Sequence, residues 1–281
     1  MTILLKPLEL LWRGVNRLRR ALYRRGVFKS KRLPRPVVSV GNLAAGGAGK
    51  TPAVITIARH LAKRGFRVAV LTRGYGRNDK ASGIVTSLDA ARFGDEPVLM
   101  KSKLKNVDVI VGSNRHNNAL QFLNQNDCDL FVLDDGFQHL QLARDVDVVI
   151  DTAGGVMREG RSALADADFV IRRNLRITVP EGLTSKRIFA FAGLANNDQF
   201  FESLRGLGLS LAGTKSFRDH HRYTPADIAA VKDAAREAGA EIVVTTEKDA
   251  VKIDDRDIIP IAAEMIVESE VLEAIAARIS R

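Results

Sequence analysis

Residues 37–52 read Val-Val-Ser-Val-Gly-Asn-Leu-Ala-Ala-Gly-Gly-Ala-Gly-Lys-Thr-Pro, and the next twelve residues are amphipathic. A β-branched run enters a glycine-rich turn, and the turn ends on Gly49-Lys50-Thr51 at the start of a helix. This is the context a phosphate-binding loop needs. Glycine lets backbone N–H groups converge on an anion, and the helix start adds further N–H groups and a partial positive charge. Gly46, Gly47, Ala48, Gly49, Lys50 and Thr51 are therefore candidate nucleotide contacts. Lys50 is placed to reach terminal phosphates, and the Thr51 hydroxyl to ligate Mg²⁺. Against the G-x-x-x-x-G-K-[ST] pattern the first glycine position is occupied by Ala44.

A second feature answers the first. Leu130 to Leu133 form a short apolar run that delivers Asp134 and Asp135 to its carboxyl end. In an open parallel sheet, ligands bind at that end of the strands. Paired acids there can hold Mg²⁺ opposite a phosphate loop. The fold expected is α/β: a P-loop NTPase-like, mostly parallel sheet with flanking helices. Further strands are read at 67–72, 107–111, 146–150, 169–172, 188–192 and 241–249, with helices at 53–64, 198–207, 226–238 and 271–279. Thr224 and Pro225 supply the cap and first turn of the third of these helices, and Gly239 stops it.

The 281 residues carry a net charge of +10, and its location matters more than its size. Residues 1–35 hold eleven Lys or Arg against Glu9 alone, which accounts for the whole excess. From Ile3 to Tyr23 the apolar residues Leu4, Leu8, Leu11, Val15, Leu18 and Leu22 share one helical face at about 100° per residue. Lys6, Arg13, Arg17, Arg20 and Arg24 fall opposite, and Trp12 lies on the flank. A basic amphipathic helix of this kind suits an anionic membrane surface; the competing arrangement packs the leucine face on the protein's own core. Nucleic acid is disfavoured, because the charge sits on one helix without interleaved aromatics. No apolar run approaches the roughly 18 residues of a spanning helix. The lone cysteine, Cys128, excludes an internal disulfide and suits a buried position in a reducing compartment. Pro34 and Pro36 separate the helix from the first strand. The expected division is 1–35 for the helix and linker, 36–172 for the nucleotide-binding unit and 173–281 for a smaller α/β unit.

Several short motifs follow one another along the chain: Ser39-Val-Gly-Asn42 with the phosphate loop, Arg73-Gly-Tyr-Gly76, Gly94-Asp-Glu-Pro97, Asp134-Asp-Gly-Phe-Gln-His139, Ala190-Phe-Ala-Gly193, Asp219-His-His221 and Thr246-Glu-Lys-Asp249. Together they make the chain resemble the tetraacyldisaccharide 4'-kinase family of lipid A synthesis, which also lacks the first loop glycine. The resemblance implies ATP and Mg²⁺ as cofactors, and an acylated disaccharide lipid as acceptor at its 4'-hydroxyl. It also implies a peripheral position on the cytoplasmic face of the bacterial inner membrane; a monomer is favoured.

Carried over by motif, the catalytic set is Asp95 as base, His220 as its helper, Lys50 and Asp135. Gln138 and Arg115 join the loop around the nucleotide; Thr51, Asp134 and Glu96 surround the metal. Tyr75, Arg158 and Glu159 fall on the acceptor side, and Thr246 to Asp249 are expected to face the nucleotide base. The family's Gly-Asn-Gly stretch before Arg158 is absent, and the region between 173 and 187 is short, which bears on the acceptor side. Two other classes compete: a nucleotide-dependent switch and a catalytically weak membrane scaffold. Partitioning-type switches carry a lysine where this chain has Ala45.

Overall fold

The computed structural model describes residues 6–44, 46–152 and 157–280, with the side chains of 6–10 excepted. The start of the leucine stripe at Leu4, the Leu8 side chain, Ala45 and residues 153–156 lie outside the described residues. The elements run α1 (Lys6–Arg24), β1 (Val37–Asn42), α2 (Lys50–Lys63), β2 (Val68–Thr72), β3 (Gly83–Ile84), α3 (Ala90–Phe93), α4 (Asp95–Lys103), β4 (Asp108–Val111), α5 (Arg115–Leu123) and β5 (Leu130–Asp134). They continue β6 (Val146–Asp151), β7 (Phe169–Arg172), β8 (Leu175–Thr178), β9 (Arg187–Ala192), α6 (Asn197–Gly206), β10 (Ser210–Ser216), α7 (Pro225–Glu237), β11 (Ile242–Thr246), α8 (Glu247–Ala250), β12 (Ile258–Met265) and α9 (Ser269–Ile279).

Seven strands form the first sheet in the order β3-β4-β2-β5-β1-β6-β7, parallel except for the two-residue edge strand β3. Every residue of β1, β2 and β5 is buried, which is why these runs are apolar without alternation. β1 is flanked by β5 and β6, and Val40 pairs with Asp134. The chain leaves β1 toward β2, later returns through β5 and then crosses β1 to reach β6. That reversal opens a crevice at the strand ends, where Asn42 and Asp134 finish. α2 buries Ala53, Val54, Ile57, Ala58 and Leu61 against this sheet.

The second sheet has five strands in the order β10-β9-β11-β12-β8, parallel except that β8 runs antiparallel to β12. β8 falls between the strands expected at 169–172 and 188–192, where the sequence analysis reads no element. β10 and β12 were not foreseen either. The strand expected over 241–249 stops at Thr246, whose side chain caps the short helix α8. α4 is a further addition: Gly94 precedes it and Asp95, Glu96 and Pro97 open it. We propose to retain 172/173 as the point where the chain passes between units, with one return. α9 packs Ile275 and Ala276 into the core cluster built around α2, beside Met265 and Val267. Thr56 Oγ1 also donates to Met265 O at 2.9 Å, so the two sheets are tied behind the crevice.

Among the described side chains, α1 docks through Asn16 and Arg20 and not through Leu11 or Leu18. Asn16 and Arg20 are buried, whereas Leu11, Trp12, Val15 and Leu18 are exposed, Leu11 by 66% and Leu18 by 63%. Arg20, expected on a solvated basic face, donates from Nε and Nη2 to Glu159 at 2.8 and 2.9 Å and from Nη2 to Phe137 O at 3.2 Å. Its guanidinium also lies 4.3 Å from the Phe137 ring centroid. Asn16 donates to Arg158 O at 2.9 Å. Among the described residues, no helix is long and apolar enough to cross a membrane.

Candidate active site

A cleft of about 880 Å³ runs between the two sheets and is lined by residues from both. Its floor is the loop between β1 and α2. Gly49 has φ +80°, and a Cβ there would stand 2.7 Å from Met265 Cε, so glycine serves both the turn and the close packing. α2 begins at Lys50 with no side-chain cap and no acidic residue in its first turn. Its first N–H groups therefore face the cleft as donors for an anion. Lys50 Nζ donates to Asn42 Oδ1 at 3.3 Å and lies 3.5 Å from Asp135 Oδ1.

Asp134 and Asp135 separate in character. Thr72 Oγ1 donates to Asp134 at 2.7 Å, but burial, Glu96 and Asp135 push the Asp134 carboxyl up to about 7. Burial acts on Asp135 too, yet Lys50 and Arg158 outweigh it and hold Asp135 below the ordinary carboxylate range. Arg158 Nη1 reaches its two oxygens at 3.3 and 3.1 Å. Asp135 adopts φ 51°, a left-handed conformation rare outside glycine.

The site tests well for a triphosphate with a divalent cation. Gln138 donates to Asn42 O at 2.8 Å while its buried Oε1 has no partner. Arg115 donates to Ser113 O at 3.1 Å, and its buried Nε has no partner. Burial and the neighbouring Arg73 lower the Arg115 pKa, so an anion would relieve it. Asp134 is an acid short of a cation. Among the described residues, no group of three or more His, Cys, Asp or Glu is arranged as a metal cage. That donor set suits Mg²⁺, which keeps water and phosphate oxygens and takes one or two carboxylates.

The opposite wall carries the second sheet's contribution. His220 Nδ1 lies 2.9 and 3.2 Å from the two Asp95 oxygens, and Glu96 N donates to Asp95 Oδ1 at 2.9 Å. Asp95, on α4, is only 5% exposed and sits behind His220, which lines the cleft. Burial opposes Asp95 ionisation, but His220, Lys248 and Lys252 outweigh it and keep the carboxyl low. The same hydrogen bond raises His220 above its usual value. His220 has φ 56°, and Tyr75 lies 5.2 Å away, ring to ring.

Of the residues singled out in the sequence, Gly46 to Thr51, Tyr75, Glu96, Arg115, Asp134, Asp135, Gln138, Arg158 and His220 all line this one cleft. Glu159 does not fit the acceptor side expected of it. It is 4% exposed with both oxygens taken by Arg20, so it anchors α1 beside Arg158. Lys248, expected near the nucleotide base, reaches Glu96, Asp219 and His220 instead. Sequence reasoning missed Thr72 beside Asp134, Asn42 beside Lys50, and Lys252 behind Asp95. Asn42 and Lys252 lay within or just beyond quoted motifs, but nothing in one sequence says which side chains meet across a crevice.

The family profile of tetraacyldisaccharide-1-P 4'-kinase matches residues 1–182 and 173–280. A "Tetraacyldisaccharide 4'-kinase" of Pelobacter propionicus is 39% identical, covering 89% of this chain and 82% of that protein. One of Desulfotalea psychrophila is 36% identical over 88% of this chain and 87% of its own length. Among solved structures, the "apo" form of LpxK from Aquifex aeolicus in complex with ATP superposes with a TM-score of 0.79 at 29% identity, covering 99% of this chain and 98% of that one. A profile that spans the chain, with relatives of this identity over most of both lengths, means that the chain belongs to the tetraacyldisaccharide-1-P 4'-kinase family.

Proposed function

We propose that this protein transfers the γ-phosphoryl group of ATP to the 4'-hydroxyl of a tetraacylated glucosamine disaccharide 1-phosphate. The observation that carries the reading is the Asp95–His220 pair, set across one cleft from Lys50, Asp134 and Asp135. A nucleotide switch needs the second group but has no use for a carboxylate–imidazole pair facing it.

The roles follow from charge and position. The loop 46–51 and the first turn of α2 bind the phosphate chain, and Lys50 neutralises its terminal part. Gln138 Oε1 and Arg115 Nε are free to take polar groups of the nucleotide. Thr51, Asp134 and Glu96 would hold Mg²⁺, which when bound screens the phosphate oxygens and fixes their orientation. A sugar hydroxyl keeps its proton at neutral pH, so a base must take it as the bond to phosphorus forms. His220 stands at the cleft wall and Asp95 holds it from behind, so the pair takes that proton as a unit. Tyr75 packs on His220 and, with Arg158, borders the acceptor.

The outward leucine face of α1 supports docking on a membrane, with its remaining arginines over anionic headgroups. The lipid acceptor would then enter the cleft from that surface, where Trp12 and Asn16 already line the opening. We assign the enzyme to the cytoplasmic face of the bacterial inner membrane, as a monomer.

Asp95→Asn tests the reading. Turnover should fall by about 10²-fold or more, the usual worth of a positioned base. Mg·ATP affinity, measured by calorimetry, should change little. An equal loss of ATP affinity would make Asp95 a nucleotide residue and remove the base assignment.

A further inference from the structure

The Thr246-Glu-Lys-Asp249 motif has no part in the roles above, and its lysine stands in a position that asks for one. β11 ends at Thr246, which caps α8, and the first turn of α8 carries Lys248 to the cleft wall. Its Nζ lies 3.1 Å from Asp219 Oδ1, 3.4 Å from His220 Nε2 and 3.6 Å from Glu96 Oε1. Asp219 and His220 belong to the acceptor side. Glu96 belongs to the other, because it bears electrostatically on Asp134 opposite Lys50. The ammonium therefore sits between the phosphate-holding groups and the proton-accepting pair. A phosphoryl group moving from one to the other must pass this point.

We propose that Lys248 is a catalytic residue, a cation delivered by the second sheet to the phosphoryl group in transit. This rests on the phosphoryl-transfer reading above. In transfer, the bond from phosphorus to the ATP bridging oxygen breaks and the bond to the sugar oxygen forms. ADP leaves with the bridging-bond electrons, and the hydroxyl proton goes to the Asp95–His220 pair. Charge spreads over three equatorial oxygens meanwhile, and a fixed donor aimed at them lowers the barrier. Lys50 serves the side facing the loop; Lys248 serves the side facing the acceptor. Its partners leave it free to do so. Lysine has three donors, and the Glu96 contact at 3.6 Å is beyond hydrogen-bond length, so one donor can pass to a phosphate oxygen.

The competing role is a clasp between α8 and α4, where Lys103 also pairs with Glu247. A clasp and a catalytic cation separate in kinetics. Lys248→Met should lower kcat by about 10²-fold or more, the loss typical of one such donor, with ATP affinity and acceptor KM within about threefold of wild type. Lys248→Cys is the second variant. Alkylation with bromoethylamine rebuilds a lysine-like amine at that place, and buried Cys128 is the chain's one other thiol. The amine adduct should regain at least about a tenth of the lost activity, and the neutral iodoacetamide adduct should not. The proposal is overturned if kcat at saturation stays within about threefold in Lys248→Met, or if both adducts or neither regain activity. Wild type run alongside separates the two levels: a wild type that phosphorylates no acceptor removes the kinase reading itself.

Discussion

The docking of α1 gives the sharpest test of the packing, through Arg20→Met. Methionine keeps much of the apolar stem over Phe137 and deletes the guanidinium. Glu159 then loses both of its charge-assisted bonds while 4% exposed. Leaving one member of a buried pair ionised and alone costs about 3–5 kcal/mol. The helix has a cheaper exit. Besides Arg20 and the exposed Arg24–Asp166 pair, which contributes little, hydrogen bonds that anchor α1 at this face include Asn16 to Arg158 O and Arg19 to Gln138 O. Each is worth about 0.5–1.5 kcal/mol net, or roughly 1–3 kcal/mol together. Undocking α1 to wet Glu159 is therefore cheaper than keeping it buried, and the smaller figure sets the loss. Urea denaturation should show a destabilisation of about 1–3 kcal/mol. Trypsin, with fragments read by mass spectrometry, should cut at Arg13, Arg17 and Arg24 well before the rest of the chain. Adding Glu159→Met should recover most of the stability, since an apolar replacement of a buried pair is often neutral. A single variant within about 0.5 kcal/mol of wild type, with α1 no more sensitive to trypsin, would refute the reasoning.

Three further outcomes follow from the same geometry. Lys50→Ala should abolish phosphoryl transfer while the fold survives, as judged by an unchanged circular dichroism spectrum; full activity would remove the phosphate-loop assignment. Leu11→Ser with Leu18→Ser should weaken binding to anionic liposomes in flotation assays without altering stability, because both side chains are exposed; unchanged flotation would mean that this face meets something other than lipid. Cys128, pushed up to about 12 chiefly by burial, should resist thiol reagents in the native state and react rapidly in urea. Its sign is that of a raised acid: from pH 9.0 to about 12 the unfolded thiol ionises while the folded one does not, so Cys128 lowers stability as pH rises. Rapid native labelling at pH 8 would contradict the burial.

The first sheet was legible because its central strands are buried on both faces and therefore read as unbroken apolar runs. The glycine loop and the Asp134–Asp135 pair were legible for a related reason: each ends such a run. The second sheet was harder. β12 contains Pro260, a residue that argues against an interior strand, yet it pairs with β11 on one side and β8 on the other. β10 and β8 lie at the sheet edges and are half exposed, so their alternation is weak. The periodicity of α1 gave two faces but not which one points inward, because the buried stripe is polar and its partners, Arg158 and Glu159, lie far along the chain. Lys248 could not be placed for the same reason. Its role depends on Glu96 and His220, which one sequence cannot bring together.

The most direct measurement is the fate of the ATP γ-phosphate when the acylated disaccharide 1-phosphate is supplied in mixed micelles. Phosphorus and proton NMR of the recovered lipid should show a second phosphomonoester, on the 4' oxygen, in amount equal to the ADP formed. ADP accumulating with inorganic phosphate, and a lipid that still carries its 1-phosphate alone, would contradict the account.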